Sequence, residues 1–356
     1  MTTLLDHPTT VFAAPDDRTA AVPPERRGLR RDQVRLLVAG PSGLVDTQFH
    51  YLPDYLRAGD LLVVNNSATV PAETDGTLTG ASGDHSVVVH VATRLTELPV
   101  VELRSAPDAA SPVLDAKPGQ RVVLAGPVTL TLHAAYPRPD SSPTGVGNRL
   151  WSVRVDGDLD GLLARAGRPI AYGYLDGRFD LGDYQTVFSA VPGSAEMASA
   201  ARPFTPEVVA RLVSRGVALA PITLHTGVSS QDAGEAPAPE WFEVSAWTAA
   251  QVDATHATGG RVIAVGTTST RALESAAQPD GTVVAASGWT DVVISPHRPV
   301  RVVDGLVTGW HNPDASHLLL VESVAGRELT QRAYDMAVAN GYLWHEFGDA
   351  GLLLRC

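Results

Sequence analysis

Hydroxyl side chains are concentrated around one glycine, where an apolar stretch gives way to a polar turn. Residues 261–265 read as a buried strand, and the turn Gly-Thr-Thr-Ser at 266–269 opens a predicted helix. Backbone N–H groups at a helix start lack intrahelical acceptors, so together with hydroxyls they bind anionic or hydroxyl-bearing ligands. An arginine adds bidentate recognition of a carboxylate. The candidate ligand-binding residues of this turn are Gly266, Thr267, Thr268, Ser269, Arg271 and Glu274.

The same turn has a purely structural interpretation. Hydroxyls at helix starts commonly cap the unpaired N–H groups. Glu274 follows Arg271 by about one helical turn, so the two side chains could simply pair at the i, i+3 spacing. A turn with this many hydroxyls plus an arginine exceeds what capping requires. It favours a ligand site at the carboxyl end of a strand in an α/β sheet.

Other polar side chains also stand near the ends of predicted strands. His225 ends the apolar strand 218–225, and His311 lies in the turn 309–313 after a strand at 305–308. A polar cluster at 183–188 precedes a Pro-Gly-Ser turn at 192–194. For each of these, a structural role is the alternative to a functional one. The histidines lack the His-Glu-x-x-His spacing of a zinc site, and we predict no metal.

The composition is typical of a soluble globular protein. The 356 residues are enough for two domains with separate cores, and 44% of them are hydrophobic. Cys356 is the only cysteine, so an intrachain disulfide is excluded. The sequence has neither a signal-peptide pattern nor an apolar run near the roughly 20 residues of a membrane helix. We expect a cytoplasmic protein without a membrane partner, and a monomer is the working expectation.

The charge balance argues mildly against a nucleic-acid partner. The net charge is −12, and Lys117 is the only lysine. Proteins that bind nucleic-acid phosphates usually present a basic face. The run Arg-Arg-Gly-Leu-Arg-Arg at 26–31 could form a local basic patch, and a solvated, flexible arm is its alternative interpretation.

Apolar strands and helical segments predict an α/β architecture at both ends of the chain. Strands are expected at 34–38 and 60–64 with a short helix between them. After residue 168 a helix at 206–215 begins with a Thr-Pro cap. The later elements are strands at 218–225 and 300–303 and a helix at about 327–340.

The middle of the chain has a different pattern. Short β-rich runs between about residues 72 and 160 alternate with Gly, Pro and Asp turns, and helical segments do not separate them. This spacing predicts a small antiparallel barrel or sandwich. We therefore expect a discontinuous, barrel-like α/β domain of residues 1–71 and 166–356, and an inserted antiparallel β-barrel domain of residues 72–165.

Taken in order, these segments resemble the S-adenosylmethionine:tRNA ribosyltransferase-isomerase family of queuosine biosynthesis. The resemblance extends from about residue 34 to 354 and is weakest in the middle. Its motifs here are Leu-Pro-Asp-Tyr-Leu-Arg-Ala-Gly-Asp-Leu-Leu-Val-Val-Asn (52–65), Tyr-Gln-Thr-Val-Phe (184–188), His-Thr-Gly (225–227), Val-Gly-Thr-Thr-Ser-Thr-Arg-Ala-Leu-Glu (265–274), Gly-Trp-Thr-Asp (288–291), Val-Val-Asp-Gly-Leu (302–306), Trp-His-Asn-Pro (310–313) and Gly-Asp-Ala (348–350).

The resemblance implies an enzyme, both transferase and isomerase, that uses S-adenosylmethionine as a ribosyl donor. In the family reaction a base removes a proton from the ribose 5′ carbon beside the sulfonium, and adenine and methionine depart. The aminomethyl group of preQ1 in a tRNA anticodon then receives the rearranged epoxycyclopentanediol. By the same resemblance, the turn at 266–274 binds the donor and Trp289 shapes its pocket. His225 or His311 is the acid–base candidate, and the substrate-binding candidates are Asn65, Tyr184, Gln185 and Thr186.

Departures from the family motifs leave the acceptor open. Asn66, Ala68 and Glu73 stand where the family has an acid and two arginines, and the segments 198–205 and 236–243 lack family histidines. The segment 227–231 also departs from the family pattern. Three hypotheses therefore remain. They are the family reaction on preQ1-tRNA, a diverged paralogue that uses S-adenosylmethionine with a small-molecule acceptor or cleaves it, and a non-catalytic binding protein on the same fold.

Overall fold

The computed structural model describes residues 7–13, 18–80, 83–138, 146–229, 235–313 and 315–355. Residues 230–231 of the departing segment and Cys356 lie outside these ranges. The strands are β1 (Arg35–Gly40), β2 (Gly43–Gln48), β3 (Leu61–Asn65), β4 (Ser67–Thr69), β5 (Glu73–Thr79), β6 (His85–Thr93), β7 (Val100–Ser105), β8 (Arg121–Leu124), β9 (Thr129–Ala135), β10 (Leu150–Asp156), β11 (Val191–Ser194), β12 (Ala218–His225), β13 (Glu240–Val244), β14 (Val262–Val265), β15 (Ala286–Thr290), β16 (Gly305–Gly309) and β17 (Ala350–Leu354).

Helices are placed mainly in the second half of the chain. The α-helices are α1 (Leu159–Ala166), α2 (Pro206–Ser214), α3 (Ala246–Ala257), α4 (Gly266–Ala276), α5 (Ser316–Ala325) and α6 (Arg327–Ala339). Short 3-10 helices span Pro24–Arg27, Arg31–Gln33, Phe49–Tyr55, Leu181–Tyr184 and Ser199–Ala201. Within the described ranges, no helix is long and apolar enough to cross a membrane.

Nine of the described strands form one large mixed sheet, in the order β15-β13-β12-β3-β14-β16-β17-β1-β2. Strands β3, β14 and β17 are buried along their whole length, because apolar clusters cover both faces of the sheet. The prediction of an α/β protein is confirmed. The α/β part was expected to be barrel-like, but its sheet has two ends in this order, at β15 and β2, and is therefore open.

Six described strands of the middle region pair antiparallel and close into a barrel, in the order β10-β7-β6-β5-β8-β9. Alternate side chains of these strands fill an apolar interior, as the two-residue period of a strand requires. Helix α1 contributes Leu159, Leu162 and Leu163 to the same interior. Asp158 caps this helix, since its side chain accepts from the Gly161 N–H at 2.8 Å.

Local sequence explains several element boundaries. Thr205 caps α2 by accepting from the Val208 N–H at 3.3 Å, as predicted. The predicted strand at 300–303 is wrong, whereas the strand predicted at 305–308 is present as β16. The N–H groups of residues 301–303 are bonded to the Glu274 carboxylate, so they are not available to a neighbouring strand.

The barrel joins the large sheet through a buried ionic network around Glu73. The Glu73 carboxylate contacts Arg168 Nε at 2.6 Å and His90 Nε2 at 3.0 Å, and it accepts from the Ala171 N–H at 3.0 Å. His90 Nδ1 also lies 3.3 Å from Glu102, and the His90, Glu73 and Glu102 side chains are fully buried. The network ties the first barrel strand to the chain that returns to the sheet, because Glu73 and Arg168 also pair through their backbones.

The strand order brings several strand ends to one edge of the large sheet. Strands β3, β12, β14 and β16 run parallel, so their carboxyl ends lie together. The chain leaves β3 at this edge to enter the barrel, and α4 begins there directly after β14. In open α/β sheets this edge is where ligands bind. It positions most of the side chains described below.

Candidate active site

Helix α4 begins abruptly at Gly266. This residue has φ +91°, which L side chains rarely adopt, and an added Cβ would lie 3.4 Å from the Cβ of Ala200. Glycine therefore permits the direct passage from β14 into the helix. Val265 precedes it and provides no side-chain cap, so the helix start depends on other groups for its N–H partners.

The hydroxyls of this turn fall into two classes. Ser269 Oγ donates to the Val265 carbonyl at 2.9 Å, and Thr270 Oγ1 donates to the Gly266 carbonyl at 3.2 Å. These two hydroxyls are therefore used within the helix. Thr267 and Thr268 are partly exposed, and among the described residues their hydroxyls have no hydrogen-bond partner. They are the ligand-accessible part of the predicted turn.

Arg271 is paired with Glu240 rather than with Glu274. Its guanidinium contacts the Glu240 carboxylate and donates to the carbonyls of Val292 and Thr290, each at 3.2 Å. Arg271 is only 7% exposed. The i, i+3 pair considered above is not formed, and Arg271 holds β13 and the end of β15 against α4.

Glu274 occupies its carboxylate with backbone donors. It accepts N–H groups from Arg301 and Val302 at 2.9 Å and from Val303 at 3.2 Å. Burial raises the pKa of this carboxyl and outweighs the opposite effect of these hydrogen bonds. The structure thus places Glu274 as an anchor for the segment before β16, away from the accessible hydroxyls of the turn.

The predicted substrate-binding residues are likewise engaged with the protein. Asn65 is fully buried, and its amide bridges to the Leu224 backbone and to the Ser67 N–H at 2.9–3.1 Å. Gln185 accepts from the Thr69 N–H at 3.2 Å and donates to the Thr69 carbonyl at 2.8 Å, as a strand neighbour would. Both side chains hold the chain where it leaves β3.

Tyr184 and Thr186 support the same region. Thr186 Oγ1 accepts from the Phe188 N–H at 3.2 Å and so closes a local turn. The Tyr184 ring packs 5.3 Å from the ring of Phe347, and burial raises the pKa of the Tyr184 hydroxyl well above its usual range. Its hydroxyl is buried, and it has no partner among the described residues.

His225 lines a hollow between the sheet edge and the barrel, which we call the His225 hollow. Its ring lies 5.4 Å from the Trp241 ring in a stacked arrangement, and its Nδ1 is 2.7 Å from Ser67 Oγ. Burial lowers the pKa of His225. The hollow has a volume of about 300 Å³ and is lined by Ala92, Thr93, Val100, Tyr136, Leu150, His225, Gly227, Val228, Ala238, Pro239, Glu240 and Trp289.

The His225 hollow has mainly apolar walls with a few polar groups. Trp289 is 42% exposed, and Glu240 accepts from the Gly227 N–H at 2.9 Å in addition to its pair with Arg271. Such walls with few polar groups are typical of small-molecule sites. The structure therefore brings His225 and Trp289 together, as members of one pocket.

His311 belongs to a cluster with His317 and His345. The His311 and His317 rings are stacked with centroids 4.6 Å apart, and His311 Nε2 lies 3.1 Å from Thr308 Oγ1. Burial, followed by the charges of His317 and His345, holds the pKa of His311 well below its usual range. Burial, followed by the charge of Arg271, lowers the pKa of His317 to about 4. The imidazoles are thus neutral at neutral pH.

Two carboxyls and two tyrosines extend this cluster. The His345 ring stacks 4.6 Å from the Tyr174 ring, and Tyr174 donates to Glu346 at 2.7 Å. Tyr172 donates similarly to Glu196. Burial raises the pKa of both carboxyls, although Glu196 and Glu346 remain partly exposed. His345 also has φ +70°, a strained conformation that is frequent at functional sites.

Two arginines of the run at 26–31 are bonded to distant parts of the protein, whereas Arg26 and Arg30 are exposed. Arg27 donates to the Phe347 carbonyl at 2.7 Å, and Arg31 donates to the Gln185 carbonyl at 3.1 Å. Arg31 and the buried Arg202 line a second hollow of about 330 Å³, which also includes His345 and Glu346. The hollow therefore places cationic side chains beside the histidine cluster.

A sequence model of the family described as queuosine biosynthesis protein matches residues 9–353. The chain belongs to this family. The S-adenosylmethionine:tRNA ribosyltransferase-isomerase of Azorhizobium caulinodans is 37% identical over 350 residues, which cover 94% of this chain and 98% of the relative. That of Symbiobacterium thermophilum is 35% identical over 334 residues, covering 91% and 94%.

A solved structure agrees with this assignment. The crystal structure of the S-adenosylmethionine tRNA ribosyltransferase from Thermotoga maritima is 26% identical to this chain, with a TM-score of 0.52. The match covers 97% of this chain and 99% of that chain. The resemblance found in the sequence motifs is thus confirmed for the queuosine family.

Sequence reasoning did not find several polar residues of the site. Glu196, Glu346, His317, His345 and Tyr174 lie in stretches without a recognisable motif. The positions of Glu196 beside Ser229 and of His345 beside Tyr174 depend on contacts across more than 30 residues. The available signal was the motif Gly-Asp-Ala at 348–350, which begins two residues after Glu346.

Proposed function

We propose that this queuosine-family protein is a ribosyltransferase-isomerase that takes ribose from S-adenosylmethionine and transfers it, rearranged, to preQ1-tRNA. Adenine and methionine are the other products. One observation carries the proposal beyond family membership. Neutral imidazoles lie beside partly exposed carboxyls after β16, and α4, with its unpartnered hydroxyls, begins after the neighbouring parallel strand β14. This set suits a cationic sulfonium donor and a proton-abstraction step.

The proposed base is His311. A general base must be unprotonated before the reaction, and burial keeps this imidazole neutral. Thr308 orients the ring by contact with Nε2, and the stacked His317 holds its plane. His311 lies close to α4, since Val307 of β16 pairs with Val265, the residue before the helix.

Glu346, Glu196 and Tyr174 are proposed to face the sulfonium cation. The face of the Tyr174 ring attracts a cation, and so do the carboxylates of Glu196 and Glu346 when they are ionised. Burial raises the pKa of both carboxyls. A cation bound beside them would lower these pKa values and so favour the ionised carboxylates. Thr267 and Thr268 would then bind the hydroxyls or carboxylate of the donor at the start of α4.

A planar heterocycle is the proposed occupant of the His225 hollow. Trp289 and Tyr136 provide aromatic surface, and Glu240 provides an acceptor for a ring or exocyclic N–H. Arg271 positions Glu240 instead of touching the ligand. The barrel contributes nearly half of the lining, which supports a role of residues 72–165 as an inserted domain that completes the substrate site.

Glu73, which stands where the family has an arginine, does not place a negative charge on a substrate-binding surface. Glu73 is fully buried and is neutralised by His90, Arg168 and Arg178. Its charge reversal relative to the family motif is therefore accommodated inside the protein. This supports the family acceptor over a small-molecule acceptor, within a monomeric, cytoplasmic enzyme.

Mass analysis of the products tests the proposal. Purified protein is incubated with S-adenosylmethionine, with and without preQ1-tRNA. We expect adenine and methionine release that requires the tRNA, and a tRNA carrying the epoxycyclopentanediol. Adenine release without any dependence on tRNA would favour the small-acceptor alternative. A complete absence of multiple turnover would support a binding protein.

A further inference from the structure

We propose that Ser194 and Ser67 fix the His225 ring as the tautomer with its proton on Nε2, so that His225 serves the reaction as a hydrogen-bond donor and not as its base. The role in the reaction rests on the function proposed above, whereas the tautomer itself does not. Ser67 and Ser194 are positioning residues in this view.

A continuous hydrogen-bond chain runs from the backbone to the imidazole. The Thr226 N–H donates to Ser194 Oγ at 3.0 Å, Ser194 Oγ lies 2.6 Å from Ser67 Oγ, and Ser67 Oγ lies 2.7 Å from His225 Nδ1. Ser67 is 3% exposed and Ser194 is 1% exposed. Water therefore does not offer either hydroxyl an alternative partner.

The direction of this chain follows from where each hydrogen can go. If Ser194 donates to Ser67 and Ser67 donates to Nδ1, both hydroxyl hydrogens have acceptors. In the reverse direction Nδ1–H donates to Ser67 and Ser67 donates to Ser194. The Ser194 hydrogen then has no acceptor among the described residues, and a buried donor is left unpaired. The forward direction is favoured, and it places the imidazole proton on Nε2.

The surroundings of the ring match this assignment. An added Cβ at Gly193 would lie 2.5 Å from His225 Nδ1, so a side chain there is incompatible with the observed ring position. Trp241 stacks on the ring, and no carboxylate is within salt-bridge distance of it among the described residues. The titratable groups that share the His225 hollow are Glu240 and Tyr136. Nε2–H is thus free to donate to a ring nitrogen or carbonyl oxygen of a bound heterocycle.

Nitrogen-15 NMR of the histidine side chains tests the tautomer without any turnover. In the wild-type protein we expect His225 Nδ1 to resonate as an unprotonated ring nitrogen and Nε2 as a protonated one. His225→Gln, which lacks these resonances, assigns them. The opposite pattern, with the proton on Nδ1, would overturn the proposal. If the pattern holds and the protein releases no adenine, the proposed function fails and the tautomer assignment stands.

Variants separate positioning from simple structural support. Ser67→Ala should move both His225 nitrogen resonances towards an average of the two tautomers, and Ser67→Thr, which keeps the hydroxyl, should restore them. Ser214→Ala removes a hydroxyl bonded to a carbonyl within α2 and serves as the matched control, with unchanged resonances. An unchanged spectrum for Ser67→Ala would refute the positioning role.

Activity provides the second readout. The side-chain amide N–H of Gln can approximate the Nε2–H position, whereas that of Asn approximates Nδ1. His225→Gln should therefore retain kcat/KM roughly ten- to hundredfold above His225→Asn, the range expected for one hydrogen bond to a buried group. Equal loss in both variants, or a higher value for His225→Asn, would contradict a donor role for Nε2.

Discussion

Arg271 and Glu240 form a buried ion pair that joins helix α4 to strand β13, across 31 positions of the sequence. The pair connects the two parts of the candidate site. Glu240 lines the His225 hollow, and Arg271 lies one turn beyond the accessible hydroxyls of α4. Arg271, a predicted donor-binding residue, thus contacts and positions another residue of the candidate site.

Arg271→Ala is expected to destabilise the protein by about 3–5 kcal/mol, because it removes the cationic partner of the Glu240 carboxylate and the donor to the carbonyls of Val292 and Thr290. Chemical denaturation measures the free energy of unfolding. Glu274→Gln is the companion variant, since Glu274 does not contact Arg271. Full stability with weakened S-adenosylmethionine binding in Arg271→Ala would show that the arginine binds the donor directly.

Thr267→Val and Thr268→Val are each expected to weaken S-adenosylmethionine binding while leaving the unfolding free energy nearly unchanged. Loss of one hydrogen bond of about 0.5–1.5 kcal/mol corresponds to a roughly two- to tenfold higher Kd by calorimetry. Thr270→Val is the matched control, because its hydroxyl donates to the Gly266 carbonyl inside the helix. Equal effects on Kd for all three variants would argue against a ligand at this turn.

His311→Ala is expected to lower the rate of adenine release by about 10²–10⁴-fold, with S-adenosylmethionine affinity largely retained. Single-turnover measurements report the chemical step. His256→Ala provides the control, since His256 pairs with Asp304 at 2.9 Å outside the cluster. A wild-type rate for His311→Ala would exclude it as the base.

The pH dependence of the chemical step follows from the position of the His311 pKa. Burial holds that pKa well below 6.5, so the base stays unprotonated as the pH falls through 6.5. We expect the single-turnover rate to remain constant from pH 7.5 to about 6 and to fall only at lower pH. A loss of rate centred near pH 6.5 would point to a histidine with an ordinary pKa.

The His90 network predicts how stability varies with pH. Burial alone would lower the pKa of His90, but hydrogen bonds to Glu102 and Glu73 outweigh it and raise that pKa above 6.5. Burial alone would raise the pKa of Glu102, yet the contact with His90 and the nearby arginine charges lower that pKa to about 2. Protonated His90 contributes fully to the stability of the fold below pH 6.5, and this contribution is lost as the pH rises through the raised pKa of His90. The carboxylate contribution is complete above pH 4.5 and is lost as the pH falls towards 2.

Stability should therefore be greatest between about pH 4.5 and 6.5, as far as this network determines it. His90→Gln is expected to lower the free energy of unfolding by about 3–5 kcal/mol at pH 6 and to flatten its decline above that pH. His133→Gln, at an exposed position of β9, is the control. An identical pH profile for His90→Gln and wild type would mean that the imidazole is neutral in the folded protein.

Local sequence was sufficient to predict the strand and helix elements that carry the candidate site. The apolar run 262–265 followed by glycine determines a strand that passes directly into a helix, because only glycine readily adopts the required φ there. The Thr-Pro start of α2 and the limits of β12 also follow from neighbouring residues. Ordered motifs further determined the family, since they depend on residue identity and spacing alone.

Tertiary structure alone decided which side chains are available for chemistry. Glu274 and Arg271 are one turn apart, yet the described partners of their side chains lie 19 to 33 residues away in the sequence. Ser67, Ser194 and His225 meet only because β4, β11 and β12 converge. Burial, which sets the pKa of His311 and Glu346, is likewise a property of the packed molecule. A sequence specifies the side chains, but the distances and the loss of water that determine their reactivity arise only when distant segments pack together.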